Sequence, residues 1–574
     1  MKKLTHTPRH SLLILILMFV TLLGSLPGLS SLQVIDRDEA RFAQASVQMS
    51  ESGDYVNIRF HDRDRYKKPA GIYWLQASSL NIFSNTDARD IWVHRLPSVL
   101  AGLIAVLGIY WAGLTLYNRR GAFIAALLLS SSLLFIFESH IAKTDAALCA
   151  ASVWVLAAIL RLRDPQYQPR HKVYAIILWA ALGCAVIIKG PILPAILGTA
   201  LLSVTLWEKF SNTYTPWLRR LISPLGLCLF GLICLPWYIM IGKYTGGEFF
   251  GIAIGGDLAP KLAGSQEKHG GPPGYYALSI FATFWPAALF LLAGLAYGLK
   301  AIKSKMDTPL GQAPAAWLLS WIIPFWIILE LVPTKLTHYA LPLFPALALL
   351  MAGAILSIEK DGGFIKTRRI GAVIFLIITI VLIFVIAGAN TLYGTGASWV
   401  YLLGIIILAA AFYTTMSVFR GKMKPALIGL VITGLGLSSP TYGFIMPKLT
   451  DFRLANRIGE TLAEKNIPLP RQGGPLIRSP HFTQPSLIYN LGTHILLGRK
   501  ADDYKNYPLH LGHIWIIDMK KSDSQSRVEN LQNIAATNKL CMVKYGQLKG
   551  FDYEKGDEVD LIILSTQRCE AEAG

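Results

Sequence analysis

The stretch Asp36-Arg37-Asp38-Glu39-Ala40-Arg41 opens a charged segment, residues 35–76, whose later part contains Arg65-Tyr66-Lys67-Lys68-Pro69. The segment directly follows an apolar stretch, is too charged to enter a bilayer and is too short to form a domain. Within it, Phe42, Ala45 and Met49 recur at helical spacing, and Ser52-Gly53-Asp54 is a helix stop signal. We therefore predict a loop with one short helix lying on a membrane surface.

The order of charges in this segment suggests a binding site, because carboxylates come first and lysines follow. Carboxylates bind cations and lysines bind phosphate, so this order suits a site that holds both. The alternative is a solvated juxtamembrane loop that binds nothing.

The composition places the chain among polytopic membrane proteins. It has 574 residues, of which 53% are hydrophobic and 16% charged, and its mean hydropathy is +0.45. The net charge of +19 comes largely from lysines and arginines in short loops between apolar stretches, where such residues orient a membrane protein. We find no nucleic-acid-binding motif and predict no nucleic-acid partner.

The apolar stretches predict about 13 transmembrane helices, since a crossing helix needs roughly 20 mostly apolar residues. The first is preceded by a basic terminus and lacks a clear cleavage site, so we interpret it as an uncleaved span. The predicted cores are 11–29, 94–116, 122–137, 146–160, 173–187, 191–207, 222–241, 276–298, 315–331, 339–357, 370–389, 399–417 and 425–445.

The charge of the loops predicts the orientation of these spans. Alternate loops are basic, for example at Arg119-Arg120 and Arg368-Arg369, and the positive-inside rule makes them cytoplasmic. The opposite loops, including 30–93 and 242–275, then lie outside and carry ionisable residues at span ends. Such charges are costly unless they pair or line a wet cavity, so they are functional candidates.

The tail, residues 447–574, is more polar than the preceding membrane region, residues 1–446. Its patterns predict helices at 451–465 and 524–539 and strands at 486–491, 513–519 and 559–565, hence a small C-terminal α/β domain outside the membrane. It has no nucleotide fingerprint or catalytic triad, and we expect it to cover a site or to dock a partner. Cys541 and Cys569 are the cysteines outside apolar spans, and we predict a disulfide between them.

Six motifs occur in order on the predicted outer side: Asp38-Glu39-Ala40-Arg41, Ser52-Gly53-Asp54-Tyr55, Tyr66-Lys67-Lys68-Pro69-Ala70-Gly71-Ile72-Tyr73-Trp74, Lys143-Thr144-Asp145, Lys189-Gly190-Pro191, and Pro333-Thr334-Lys335-Leu336-Thr337-His338-Tyr339-Ala340-Leu341-Pro342. Together they resemble the GT-C superfamily of glycosyltransferases, in the bacterial branch with the lipid A aminoarabinose transferases and protein mannosyltransferase-like enzymes. The tail resembles the family's extra-membrane domain only in its placement.

The resemblance implies a multi-pass enzyme of the bacterial inner membrane with a periplasmic active site. It implies a polyprenyl-phosphate sugar donor and a lipid or glycan acceptor, such as lipid A or lipopolysaccharide. The leaving phosphate gains negative charge during transfer, so nearby cations would stabilise the transition state more than the ground state.

The resemblance also implies roles for particular residues. Asp38, with Glu39 beside it, takes the position of the leading catalytic carboxylate, and Asp145 that of a second one that can share a divalent metal ion with Asp38. The predicted phosphate-binding residues, by motif or by position on the same face, are Arg41, Lys68, Lys189, Lys261, Lys335 and Tyr339.

Two departures from the family pattern affect recognition of the substrates. Lys67 stands where the family usually has a glutamate, and Lys261 stands where it has an arginine that can grip phosphate with two hydrogen bonds. Two other function classes remain open: a protein O-glycosyltransferase or O-antigen-type ligase, and a transporter. Transporters usually place their charges near the membrane midplane and often contain repeats, and neither feature is present here.

Overall fold

The computed structural model describes residues 10–211, 216–264, 270–303, 314–553 and 555–569. Before residue 447 it is almost entirely helical. Its helices there are α1 (His10–Ser25), α2 (Asp38–Ser52), α3 (Gly71–Phe83), α4 (Ile91–Leu116), α5 (Arg119–Ser130), α6 (Leu133–His140), α7 (Asp145–Arg163), α8 (His171–Lys189), α9 (Ile192–Phe210), α10 (Pro224–Tyr244), α11 (Glu248–Phe250), α12 (Ala259–Ala263), α13 (Tyr275–Thr283), α14 (Leu291–Lys303), α15 (Pro314–Leu331), α16 (Phe344–Asp361), α17 (Ile365–Tyr393), α18 (Ser398–Phe419) and α19 (Met423–Pro440).

Ten helical segments in the described part of the chain are long and apolar enough to cross a membrane. They contain α4, α7 to α10 and α15 to α19, and the bent pair of α5 and α6 would make an eleventh. The segments of α7 and α16 are almost wholly buried, whereas those of α10 and α17 are mostly exposed. The bundle is therefore built around α7 and α16, and both of these spans begin next to predicted site motifs.

The three other predicted spans are short or broken. Helix α1 has 16 residues, so it is about 24 Å long, less than the roughly 30 Å of a bilayer core. The predicted span 122–137 bends by 64° between α5 and α6. The predicted span 276–298 is divided between α13 and α14. The described helices thus account for ten or eleven of the thirteen predicted crossings by length and composition.

The two breaks have local causes and lie against each other. At the first, the hydroxyls of Ser131 and Ser132 donate to the carbonyls of Leu127 and Leu129 at 2.8 and 2.9 Å, and such bonds compete with the helical ladder. At the second, Pro286 has no N–H to continue the ladder. The N–H of Leu133 donates to the carbonyl of Trp285 at 2.7 Å. A backbone donor at the first break is thus paired with a backbone acceptor at the second.

The charged segment at 35–76 folds as predicted over its first half. Phe42, Ala45 and Met49 are buried on one face of α2, and Gly53 ends the helix with a φ of 68°. A glycine suits this left-handed conformation because it has no Cβ. A two-stranded hairpin of β1 (Arg59–Phe60) and β2 (Arg63–Asp64) follows, and α3 then leads into α4.

The tail folds around a five-stranded sheet with the strand order β4-β3-β5-β7-β6. Strands β4, β3 and β5 are parallel, whereas β7 pairs antiparallel with both β5 and β6. The strands are β3 (Ile477–Ser479), β4 (Ile495–Leu497), β5 (Ile514–Asp518), β6 (Leu540–Asp552) and β7 (Asp557–Arg568), and the helices are α20 (Leu454–Glu464), α21 (Pro485–Leu491) and α22 (Ser524–Thr537).

Most of the tail's predicted elements are present, with one wrong assignment. The predicted strand at 486–491 is the helix α21, which begins at Pro485. A short run that is buried on every side gives no period by which to tell a strand from a helix. The predicted disulfide joins Cys541, in β6, to Cys569, just beyond β7.

Candidate active site

Glu39 lies in a buried ion pair beneath the start of α2. Its carboxylate accepts hydrogen bonds from Arg95 Nε at 2.8 Å and Nη2 at 2.9 Å, and from the backbone N–H groups of Ile35 and Ala142 at 2.8 Å each. Glu39 is 1% exposed and Arg95 is fully buried. A carboxylate enclosed and bonded in this way cannot reach a substrate. This geometry fits an anchoring role and does not support the predicted catalytic role of Glu39.

Asp38 is the first residue of α2 and has a different environment from its neighbour. It is partly exposed, and the charges that act on it come from four places: Lys143 before α7, Arg65 after β2, His338 before α16 and Arg41 on α2 itself. Burial raises the pKa of Asp38, but Lys143 and Arg65 outweigh it, so the pKa lies below its usual value. Asp38 is therefore an ionised carboxylate facing cations at neutral pH.

Arg65 is held in place by two aromatic residues. Its Nε donates to the Tyr73 hydroxyl at 3.0 Å, and its guanidinium lies 5.3 Å from the centre of the Phe42 ring. A guanidinium fixed over a ring keeps its charge and its orientation. Arg65 belongs to the charged segment at 35–76, where no pattern in the sequence predicted a role for it.

A second cluster lies where α6 and α7 meet. Lys143 Nζ lies 3.4 Å from Glu138 and 3.8 Å from Asp145, and Lys189 at the end of α8 also bonds to Asp145. Burial lowers the pKa of Lys143, but Glu138 and Asp145 outweigh it and hold the pKa above its usual value. Asp145 and Lys189 therefore lie together, joined by Glu138 and Lys143, for which the sequence predicted no role.

Lys68 and Lys261 converge on one carboxylate. Asp257, in the long loop after α10, accepts from Lys68 Nζ at 2.9 Å and from Lys261 Nζ at 2.7 Å. Burial raises the pKa of Asp257, and these two ammonium groups bring it below its usual value. Two predicted phosphate ligands are thus brought together, with a carboxylate between them. A lone acid in a long loop carried no signal that could have revealed Asp257.

Lys335 and Tyr339 come from the same motif but point to different neighbours. Lys335 Nζ donates to the carbonyls of Leu329 and Glu330 at 2.8 and 2.7 Å, at the end of α15. Two of its three donors therefore cap a helix end, and the phosphate-binding role of Lys335 stays a prediction. The ring of Tyr339 lies 5.6 Å from Lys189 Nζ, and this residue does join the cluster.

One group of candidate metal ligands includes Asp145, which was predicted to share a metal ion with Asp38. Within the described residues, Glu138, Asp145 and His338 place ligand atoms within 4.8 Å of one another. These donor types suit a divalent metal ion. However, Lys143 and Lys189 already pair with both carboxylates and balance their charge. A divalent ion at this group would therefore have to displace the two lysines from the carboxylates.

A cavity of about 370 Å³ opens beside this centre on the side of the tail. Arg65 forms part of its wall, together with Tyr66 and Lys67 of the hairpin segment and Ile252 of the long loop. The tail contributes Ile488, Leu497 and Lys500. The cavity therefore lies between the membrane region and the tail. Its walls are apolar and cationic, with the carboxylates of Asp62 and Asp64 among them.

Comparison with known proteins gives matches in family, sequence and fold. Residues 67–239 match the family of dolichyl-phosphate-mannose-protein mannosyltransferases. An undecaprenyl phosphate-alpha-4-amino-4-deoxy-L-arabinose arabinosyl transferase of Yersinia pestis (strain Pestoides F) is 26% identical over 345 residues, covering 59% of this chain and 58% of its own length. A protein of the same name, numbered 2, from Pseudomonas fluorescens is 25% identical over 558 residues, covering 92% and 89%.

The fold matches a solved structure over nearly its whole length. The crystal structure of ArnT from Cupriavidus metallidurans bound to undecaprenyl phosphate superposes with a TM-score of 0.73, at 18% identity, and the match covers 97% of each chain. The apo structure of the same protein gives a TM-score of 0.69. The motifs of the outer loops, the family match and this shared fold agree. The chain is therefore similar in sequence to the aminoarabinose transferases over most of its length, and it shares the fold of ArnT.

Proposed function

We propose that this protein is an integral membrane glycosyltransferase that takes a sugar from a polyprenyl-phosphate donor. The observation that carries the proposal is the ionised Asp38 among cations at the ends of membrane helices. A sugar phosphate joined to a long isoprenoid cannot leave the bilayer, so its headgroup must react at the membrane surface. The names of the relatives support an undecaprenyl-phosphate donor and an aminoarabinose-like sugar.

In the proposed reaction Asp38 acts as the general base. An acceptor oxygen forms a bond to the anomeric carbon of the sugar, its proton passes to Asp38, and the bond between that carbon and the phosphate oxygen breaks. The polyprenyl phosphate leaves with one more negative charge than it had in the donor. Lys68 and Lys261 would stabilise this charge as it develops, with Asp257 releasing them towards the phosphate.

The second cluster supplies further positive charge on the same side. Lys189 and Tyr339 lie side by side, and Lys143 lies between Asp145 and the centre near Asp38. We propose that Asp145 holds Lys143 and Lys189 in place. Their charges are then already positioned before the reaction, and little rearrangement is needed to reach the transition state. The role of Arg41 in phosphate binding remains a proposal that rests on its place one turn after Asp38.

The acceptor is proposed to be a lipid A or other envelope glycolipid that enters through the cavity between the hairpin and the tail. Its apolar and cationic walls suit an anionic amphiphile. In this arrangement the protein has about 13 spans in the bacterial inner membrane, and the active site and the tail face the periplasm. The alternating basic loops support that orientation.

The proposal is tested with the purified protein in nanodiscs, a radiolabelled undecaprenyl-phosphate sugar and lipid A as acceptor. We expect label to move to the lipid. A protein acceptor labelled in its place would favour the activity named by the family model, a protein mannosyltransferase. Mass spectrometry of envelope lipids from a deletion strain identifies the sugar, because the modified lipid disappears.

A further inference from the structure

Asp36 is the first of the three carboxylates in the stretch 36–41, and it forms hydrogen bonds with the tail. It is 7% exposed. Its Oδ1 accepts from the backbone N–H of Ser486 at 2.6 Å, and its Oδ2 accepts from the Ser486 hydroxyl at 2.7 Å. The Asp36 N–H donates to the hydroxyl of Tyr553, also in the tail. Both ends of this contact are buried, and they lie 450 positions apart in the chain.

Tyr489, one turn after Ser486 on α21, packs into the hydrophobic core around α2. Tyr489 is 1% exposed and belongs to a cluster with Val34, Ala40, Ala43 and Val47. Its ring also meets the ring of His94, on α4, edge to face at 5.9 Å between centres. The tail therefore shares a hydrophobic core with the helix that begins at Asp38.

The turn between the two anchors is strained. Arg37, between Asp36 and Asp38, has a φ of 67°, which a residue with a Cβ adopts only when its surroundings enforce it. On one side Asp36 is fixed to the tail, and on the other Glu39 is fixed to Arg95. Asp38 lies between these two fixed points, so its direction depends on both.

We propose that Asp36 is a positioning residue and that the tail, through Ser486 and Tyr489, holds the turn that aims Asp38 at the reacting centre. The tail is then part of the transfer machinery and not only a cover. This inference rests on the proposed function, since it assumes that Asp38 acts in sugar transfer. The donor-phosphate residues Lys68, Asp257 and Lys261 pair with one another and not with the tail contact.

The test compares Asp36→Asn with the wild-type protein at full length in nanodiscs. Asparagine keeps the size but replaces one acceptor oxygen with an amide nitrogen, so the bond from the Ser486 hydroxyl must reverse its direction and both bonds lose the charge of the carboxylate. We expect kcat for transfer to fall at least about ten-fold, because small displacements of a reacting group cost rate steeply. Affinity for undecaprenyl phosphate, which is the leaving group of the donor, should stay unchanged, which a general loss of structure would not allow.

Tyr393→Ala is the matched control. Tyr393, at the end of α17, also joins the membrane region to the tail, because its ring packs against the rings of Phe452 and Phe551 at 5.0 and 6.0 Å between centres. Its kcat should stay near the wild-type value. An equal fall in kcat for Tyr393→Ala and Asp36→Asn would overturn the proposal, because any loosening of the tail would then suffice.

Ser486→Ala decides the question if Asp36→Asn fails to fold. It removes the hydroxyl donor and leaves the backbone N–H bond, so we expect a smaller fall in kcat with unchanged donor affinity. In a double-mutant cycle the two substitutions should be non-additive in kcat, since both act on one contact. Wild-type kcat for folded Ser486→Ala and Asp36→Asn would overturn the inference. Absence of transfer by the wild-type protein would instead overturn the proposed function.

Discussion

Asp36, Asp38 and Glu39 are three carboxylates within four residues, and their surroundings give them different roles. Asp36 and Glu39 are buried and fully engaged with donors, whereas Asp38 is partly exposed and faces cations. The sequence alone could not separate Asp38 from Glu39, because both are acidic residues at the start of a helix. Only the long-range partners Arg95 and Ser486 distinguish the anchors from the reacting group.

The first prediction concerns Glu39→Gln. It removes the charge of a buried ion pair and leaves Arg95 without its partner, which costs roughly 3–5 kcal/mol of stability. We expect the folded yield and the unfolding temperature in detergent to fall, while Asp38→Asn keeps both near wild type. A Glu39→Gln protein with wild-type stability and no transfer would instead assign the chemistry to Glu39.

The second prediction concerns Lys68→Ala. Lys68 is expected to meet the donor phosphate in both the ground and the transition state, so the substitution should weaken donor binding and turnover together. Lys360→Ala, at the other end of the bundle, is the control with the same loss of charge. Titration with undecaprenyl phosphate, the leaving group of the donor, measures binding at the phosphate site. Unchanged donor affinity in Lys68→Ala would remove Lys68 from the phosphate site.

At the scale of elements, regular helical periodicity could be predicted from the sequence, whereas the breaks within helices could not. The helix at Phe42, Ala45 and Met49 and the stop at Gly53 follow from spacing and backbone chemistry. The breaks at Ser131 and Pro286 depend on two distant segments that satisfy each other's backbone groups. The sequence pattern does not show that pairing. The apolar runs 122–137 and 276–298 were therefore predicted to be continuous spans.

The third prediction concerns the link between β6 and the end of β7. The chain has six cysteines, and Cys149, Cys184, Cys228 and Cys234 are free. Thiol labelling of the unfolded, unreduced protein should therefore modify these four and spare Cys541 and Cys569. After reduction all six should react. Label on Cys541 or Cys569 without reduction would contradict the bridge.

At the scale of the whole molecule, the ionisable groups near Asp38 all come from one set of alternate loops. They are contributed by the segment before α3, the turn before α7, the end of α8 and the long loop after α10. The charge alternation of the sequence predicted this grouping, because alternate loops lie on the same side. The charge alternation could not predict that Lys68 pairs with Asp257, because the two residues lie in separate loops that are far apart in the sequence.

The fourth prediction concerns the orientation of the bundle. Reporter fusions after Gly53 and after Gly574 should both report a periplasmic position, and a fusion after Arg120 should report the cytoplasm. The reason is the excess of lysine and arginine in the alternate loops. A cytoplasmic report from either of the first two fusions would separate Asp38 from the tail and contradict the shared site.

The central claim, that Asp38 carries out sugar transfer, is tested by Asp38→Asn. The measurement is transfer from a radiolabelled undecaprenyl-phosphate sugar by the purified variant in nanodiscs. Loss of a general base typically costs roughly a hundred- to ten-thousand-fold in rate, so we predict turnover reduced by that factor with folding and donor binding retained. If Asp38 only capped α2, asparagine would serve nearly as well. Turnover near the wild-type rate would contradict the account.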